Sequence, residues 1–213
     1  MSELKLPKLY PITDARLSGL AHTEQVVRFA AGGATLIQLR EKHASPREFY
    51  VEAEAALHVA RERGMQLIIN DRADIALALR ADGVHLGQDD LDPLAARRLL
   101  GADAIIGYST HNIEQAIEAA QLPISYLAIG PIFVTHTKEN PDPVIGLDGL
   151  RRVRAQLDAT ATRLPLIAIG GITTENASAI LDAGADSVAV VSALLLEPEE
   201  ITRRTAELIR ILV

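Results

Sequence analysis

Eight short apolar runs rich in Ile, Val, Leu and Ala recur along the chain at intervals of about 20 to 35 residues, and each is followed by a helical pattern. Nothing else in the sequence restricts the fold as strongly. Parallel strands need crossovers of a dozen or more residues, which a helix supplies, and eight such units in one sheet close into a barrel. The strands are expected at 8–13, 35–40, 66–71, 83–87, 104–109, 126–132, 166–171 and 187–192. The fold class is read as α/β, a single (β/α)8 TIM barrel in one domain spanning 1–213. A doubly wound sheet is the alternative, but it needs a glycine-rich turn after the first strand, and Thr13-Asp14-Ala15-Arg16 is not one.

Punctuation between the runs agrees with this reading. Ser45, Pro46 and Glu48 form a capping box with proline at the first helical position, and Asp92 with Pro93 signals a second helix start. Gly32–Gly33, Gly101 and Gly184 are expected to close helices. The stretch 133–147 has no periodicity and holds several turn residues, so it is expected to be a long functional loop acting as a lid.

Composition narrows the chemistry. The chain has 48% hydrophobic but only 3% aromatic residues, which suits helices packed on branched aliphatic strands. It has no cysteine, so thiolate metal sites, iron–sulfur clusters and a cysteine nucleophile are excluded. The net charge of −7 and pI near 5.4 argue against a nucleic-acid surface. The longest apolar stretch, 188–196, is well short of the ~20 residues of a membrane span. A cytoplasmic protein with small-molecule partners, and no nucleic acid or membrane partner, is expected; homo-oligomerisation is left open.

In a barrel of this kind the site lies beyond the C-terminal ends of the strands. Those ends are strongly polar. After the second strand come Arg40 and Lys42, after the third Asn70 and Asp71, after the fourth Asp89 and Asp90, and after the fifth Ser109; the sixth leads to Thr135, Thr137 and Lys138. Arg40, Lys42 and Lys138 make an anion clamp. Acids at two adjacent tips can converge on one hard divalent cation, as a diphosphate ester requires. The last two strands end instead in Gly170-Gly171-Ile172 and Val190-Val191-Ser192, a place where backbone N–H groups can hold a phosphomonoester without a cation. One charged and one uncharged anion site suggest a diphosphate donor joined to a monophosphate acceptor.

The motifs QLREK (38–42), ND (70–71), GVHLGQDD (83–90), GYSTHN (107–112), GPIFVTHTK (130–138), IGGI (169–172) and VVS (190–192) together resemble the thiamine phosphate synthase family. The resemblance covers almost the whole chain, in order, at the ends of seven strands. It implies a TIM barrel that joins hydroxymethylpyrimidine diphosphate to thiazole phosphate with release of diphosphate. It also implies that Gln38, Arg40, Lys42, Asn70, Ser109 and Lys138 hold the pyrimidine diphosphate, that Asp71 and Asp90 hold Mg²⁺, and that Thr135, Thr137, Gly171, Val191 and Ser192 hold the thiazole phosphate. Leu39, Glu41 and His136, inside these motifs, are included among the expected substrate contacts. Arg40, Ser109 and Lys138 are the expected catalytic residues.

Plainer readings exist for several of these residues. Asp71 alone reads as a helix cap, Arg40 to Lys42 as a solvated loop, Gly170 and Gly171 as a tight turn, and His85 as a satisfied core histidine. Three other functions compete: a thiazole tautomerase-like paralogue, a non-catalytic barrel that binds a phosphorylated ligand, and a barrel isomerase or aldolase. The first two could dispense with the metal and diphosphate residues present here. The third would want its lysine on a strand tip.

Overall fold

Branched aliphatic residues in short runs form eight strands: β1 (Leu9–Pro11), β2 (Leu36–Leu39), β3 (Gln66–Asn70), β4 (Gly83–Leu86), β5 (Ile105–Thr110), β6 (Tyr126–Ile129), β7 (Leu166–Ile169) and β8 (Ser187–Val190). The computed structural model describes residues 6–135, 142–159 and 163–213. Every pairing is parallel, in the order β1-β8-β7-β6-β5-β4-β3-β2. The ends of this row meet. Ile12 bridges Gln38 in parallel, and the Thr13 N–H donates to the Gln38 carbonyl at 2.9 Å, which brings β1 against β2 and closes the barrel. The expected α/β barrel is therefore the observed one.

Period-two alternation sends one set of side chains to the barrel axis and the other to the helices. Tyr10, Ile12, Leu36, Ile68, Ile105, Tyr126, Ala128, Ile167 and Ala189 pack together along the axis. The alternate set, including Leu9, Ile37, Leu39, Leu67, Ile69, Val84 and Ile106, meets Phe29, Leu57, Leu150, Val153 and Leu208 from the surrounding helices. Those helices are α1 (Ala15–Ser18), α2 (His22–Ala31), α3 (Pro46–Glu62), α4 (Ala73–Leu79), α5 (Pro93–Leu100), α6 (Ile113–Ala119), α7 (Gly146–Asp158), α8 (Ala177–Asp182), α9 (Ser192–Leu195) and α10 (Ile201–Leu212). None of them is long and apolar enough to cross a membrane.

The capping signals act as expected. The Ser45 side chain accepts from the Glu48 N–H while Glu48 accepts from the Ser45 N–H, and Asp92 accepts from the N–H groups of Leu94 and Ala95. Gly32 and Gly101 follow α2 and α5 directly, and Gly184 ends the turn after α8. Most strands are shorter than expected. β6 ends at Ile129, just before Gly130 and Pro131, which has no N–H to give to the ladder, although the Gly130 and Ile132 N–H groups still bond to Thr110 and Ile169. β7 ends at Ile169 because Gly170 and Gly171 take φ of 99° and 65°. β8 gives way at once to α9. At the exit of β6, Ile145 and Gly146 donate back to Pro131 and Ile132, so residues 133 and 145 leave and return at the same tip.

Candidate active site

The strand tips enclose a cavity of about 540 Å³. Its floor is the uppermost axial layer, with Tyr10, Ile12, Ile167 and Ala189, and its rim is polar. Eleven of the expected residues line it: Gln38, Arg40, Lys42, Asn70, Asp71, Asp90, Ser109, Thr135, Gly171, Val191 and Ser192. Leu39 and Glu41 do not. Leu39 has the outward parity of β2 and is fully buried against the helices. Glu41 also turns away: its Oε1 accepts from the His43 and Ala44 N–H groups at 2.6 and 3.1 Å, and its Oε2 lies 3.4 Å from His22 Nε2. The side chains of both therefore face away from the cavity. His136, Thr137 and Lys138, and with them the middle of the expected lid, lie outside the described residues.

On one wall, carboxylates and cations interleave. Asp71 follows β3 with φ of 62°, and its N–H donates to the His85 carbonyl at 2.8 Å. Its carboxylate accepts from Lys42 Nζ at 2.5 Å instead of capping α4, whose N-cap Arg72 makes no side-chain cap bond. Asp90 Oδ2 accepts from the Gly87 N–H at 2.7 Å. Burial pushes the Asp90 carboxyl above the usual carboxylate range; the Gly87 N–H opposes this, while Asp71, near enough to share a hydrogen bond, pushes it further up. Asp89 is exposed and Asp90 half-buried, so Asp90 is the acid that meets Asp71.

Two abutting carboxylates with a lysine alongside form a donor set suited to Mg²⁺, which takes one or two protein carboxylates and completes its shell with water and phosphate oxygens. Beside them, Asn70 lines the cavity at 5% exposure, and its Nδ2 is buried with no hydrogen-bond partner among the described residues. An orphaned donor in such a place costs roughly 1–3 kcal/mol unless a ligand oxygen meets it. Arg40 reaches back to Asp14 at 2.6 Å, while the other oxygen of Asp14 caps α1 through the Leu17 N–H. A different group, His22 with Glu41 and Glu52, also brings ligand atoms within 4.8 Å of one another, but it lies outside the cavity, with His22 Nδ1 held 2.9 Å from Thr13 Oγ1.

The opposite wall is built from backbone. The turn at Gly170 and Gly171 is held by Asn176, which donates to the Gly171 carbonyl at 2.9 Å and accepts from the Thr173 N–H at 2.8 Å. Val191 and Ser192 stand next to it, at the start of α9. A Cβ on Gly171 would lie 2.6 Å from the Val134 carbonyl oxygen and 2.7 Å from Phe133 Cβ. Close packing against the segment that leads to Thr135 therefore joins positive φ as a reason for this glycine.

Several lining residues were not among the expected site residues: Tyr10, Gln115 and Asp142 carry no local signal in the sequence, while Gln88 and His111 lie inside the quoted motifs without an assigned role. His111 Nδ1 lies 2.8 Å from the Gly130 carbonyl, and Asp142 Oδ2 is 3.4 Å from the same nitrogen. His85 is buried, as its alternation with Val84 and Leu86 suggests, and also lines the cavity; Nδ1 lies 3.0 Å from Tyr126 Oη and Nε2 2.8 Å from Ser109 Oγ. Burial lowers its pKa to about 4, against the opposing pull of Asp90, so the ring is neutral.

Comparison with known proteins agrees with this geometry. The family model for thiamine monophosphate synthase matches residues 9–194. The thiamine-phosphate synthase of Koribacter versatilis is 48% identical, with 99% of this chain and 98% of that protein aligned. That of Chloroflexus aurantiacus is 47% identical over 88% of this chain and 85% of its own length. A solved thiamine phosphate pyrophosphorylase from Pyrococcus furiosus superposes with a TM-score of 0.84 at 38% identity, covering 97% of this chain and 95% of that one. With barrel, polar tips and family model in agreement over nearly its full length, the chain belongs to the thiamine monophosphate synthase family.

Proposed function

We propose that this transferase joins hydroxymethylpyrimidine diphosphate to thiazole phosphate, giving thiamine monophosphate and diphosphate. The observation that carries the reading is one cavity with two unlike walls: Arg40, Lys42, Asn70, Asp71 and Asp90 on one, and Gly171, Val191 and Ser192 on the other, suited to two different anions. In the reaction, the bond from the pyrimidine's exocyclic methylene to the diphosphate oxygen breaks, with the electron pair leaving on oxygen. The thiazole ring nitrogen then forms the new bond to that carbon. No enzyme nucleophile is required.

The aminopyrimidine can carry positive charge on the methylene, so the protein's work is to stabilise the departing diphosphate and hold the nitrogen in line. Arg40, Lys42 and the orphaned Asn70 amide are suited to the first task, joined by Lys138. Asp71 and Asp90 would hold Mg²⁺, which supplies charge neutralisation to the leaving diphosphate. Thr135, Thr137, Gly171, Val191 and Ser192 are suited to the second task through the acceptor's phosphate. A barrel that only bound a phosphomonoester, or only isomerised a thiazole, would not need the first wall. The cytoplasmic location expected from the sequence goes with this reading.

Incubating the protein with both phosphorylated substrates and Mg²⁺ should release diphosphate and form thiamine monophosphate in equal amounts. Omitting either substrate should abolish both. Product formation without diphosphate release, or release that ignores the thiazole phosphate, would reject the reading.

A further inference from the structure

The segment from Arg40 to Ala44, between β2 and α3, carries two of the three cations of the anion clamp but has no regular secondary structure to fix its shape. Among the described residues, its N–H groups that find partners all go to side chains: Arg40 donates to Thr13 Oγ1 at 3.1 Å, and His43 and Ala44 donate to Glu41 Oε1 at 2.6 and 3.1 Å. Thr13 and Glu41 are in turn joined by one residue. His22, at the start of α2, places Nδ1 2.9 Å from Thr13 Oγ1 and Nε2 3.4 Å from Glu41 Oε2. The contacts form a closed circuit that leaves the backbone at residue 40 and returns to it at residues 43 and 44, with Lys42 on the span between. Thr13 is 0% and His22 1% exposed, so the circuit is sealed from water along its inner side.

The ends of this circuit cannot exchange roles. A backbone N–H only donates and a carboxylate only accepts, so Arg40 makes Thr13 Oγ1 an acceptor and Glu41 makes His22 Nε2 a donor. With one proton on the imidazole, the Thr13 hydroxyl then donates to Nδ1, and every group is satisfied. Moving that proton to Nδ1 would leave a bare Nε2 facing Glu41 and also Glu52 Oε2 at 3.6 Å, and the Thr13 hydroxyl would lose its acceptor. A second proton on the imidazole keeps the tie to Glu41, since Nε2–H donates in both forms. The next residue after Thr13 holds the same cation from another side. The Asp14 N–H donates to the buried Gln25 Oε1 at 3.0 Å, and its carboxylate accepts from the Arg40 guanidinium at 2.6 Å. Helix α2 thus reaches the segment through the two residues that end β1. An aliphatic or phenyl side chain at position 22 would fill the space without burying polar atoms, but it would join nothing.

We propose that Thr13, His22 and Glu41 are positioning residues that hold the backbone of residues 40–44, so that Arg40 and Lys42 meet the diphosphate from fixed places. The proposal rests on the reading of the Arg40, Lys42, Asn70, Asp71 and Asp90 wall as the diphosphate site. Glu41, with its side chain turned from the cavity, acts through its neighbours in the chain. A segment ordered in advance spares the entropy of ordering it when the ligand arrives. The wall of Gly171, Val191 and Ser192 contains no member of the circuit, so the two substrates should respond differently to its loss.

The test measures binding of inorganic diphosphate in the presence of Mg²⁺ by calorimetry, and the KM of each substrate, in the wild-type protein and in Thr13→Val, Thr13→Ser and Glu41→Ala. Thr13→Val keeps the shape of the side chain and removes the hydroxyl. It should raise the diphosphate Kd and the KM for the pyrimidine diphosphate about tenfold, as loss of one hydrogen bond would, while the KM for thiazole phosphate stays unchanged. Thr13→Ser restores the hydroxyl and should recover most of the loss. Glu41→Ala opens the circuit at its other end and should show the same split, which keeps the test open if Thr13→Val does not fold. Combining the two should cost less than the product of their separate effects, because both free one segment. Folded variants that bind diphosphate as the wild type does, or that weaken both substrates alike, would overturn the proposal and leave the diphosphate wall standing. If the wild-type protein itself fails to bind diphosphate with Mg²⁺, the reading of that wall falls and takes this proposal with it.

Discussion

Asp90→Asn should make the metal-free protein more stable at neutral pH while weakening its hold on Mg²⁺ and diphosphate. The substitution keeps an oxygen for the Gly87 N–H, now 2.7 Å from Asp90 Oδ2, and removes the charge that meets Asp71. Two like charges about 4 Å apart repel by ~4 kcal/mol at an effective dielectric of 20. Half-exposure of Asp90 and the lysine on Asp71 screen most of this, leaving on the order of 1 kcal/mol. For a chain of this size that corresponds to a rise in Tm of about 2–4 °C. The sign follows from the raised Asp90 pKa: the folded state holds this proton more tightly than the unfolded state, so ionising it costs stability. The cost is full above the raised folded value and disappears below the ordinary carboxylate range, so the Tm gap between variant and wild type should close as the pH falls through that window. Asp89→Asn, at an exposed position, should move Tm by less than ~1 °C. Calorimetric scans across pH, repeated with Mg²⁺ and inorganic diphosphate, would measure both effects, since a ligand at 100 times its Kd adds about 2.7 kcal/mol. A lowered Tm for Asp90→Asn, or equal behaviour of the two variants, would refute the reasoning.

Lys138→Ala should lower turnover about 10- to 150-fold, since a charge-assisted hydrogen bond formed with the leaving group is worth roughly 1.5–3 kcal/mol; a change in KM alone, in steady-state kinetics, would leave it a binding residue. Gly171→Ala should raise the KM for thiazole phosphate and also destabilise the fold by about 1–3 kcal/mol in urea titrations, because its φ is 65° and its methyl would lie 2.6 Å from the Val134 carbonyl. Ser192→Ala leaves the backbone alone and should raise the same KM without the stability loss, and Arg40→Ala should raise the KM for the pyrimidine diphosphate instead. Ser45→Ala should cost about 1 kcal/mol through the lost capping box on α3, read as a lower urea midpoint with unchanged kinetic constants.

The barrel was legible because each unit announces itself locally, by a short apolar run, a helix signal and a glycine stop. The strand ends were less so: β6 stops at Ile129, before Gly130 and Pro131, although its apolar run goes on to Ile132. Pairing across long stretches of chain hid the partner of Arg40. Asp14 is 26 residues away and reaches it only because barrel closure sets β1 against β2.

Parity accounts for the remaining gains and losses at the site. Reading 38–42 as one block places Leu39 and Glu41 with Gln38, Arg40 and Lys42, although a period of two sends the odd positions to the outer face, where Leu39 packs against helices and Glu41 turns to His22. Applied to every strand, the same rule puts Tyr10, Gln38, Asn70, His85, Ser109 and Tyr126 on the inward face around the cavity, beside apolar neighbours such as Ile68 and Ile167, and also Gln66 and Ser187 at the starts of β3 and β8. Around the cavity, Gln38, Tyr10, Tyr126, His85 and Ser109 meet one another in one chain, whereas Asn70 keeps an unpartnered amide beside the acid pair. The sequence holds the parity of each residue, but the pairing of Tyr10 with Tyr126 across 116 residues depends on how far the strands are staggered around the axis, and no local pattern carries that.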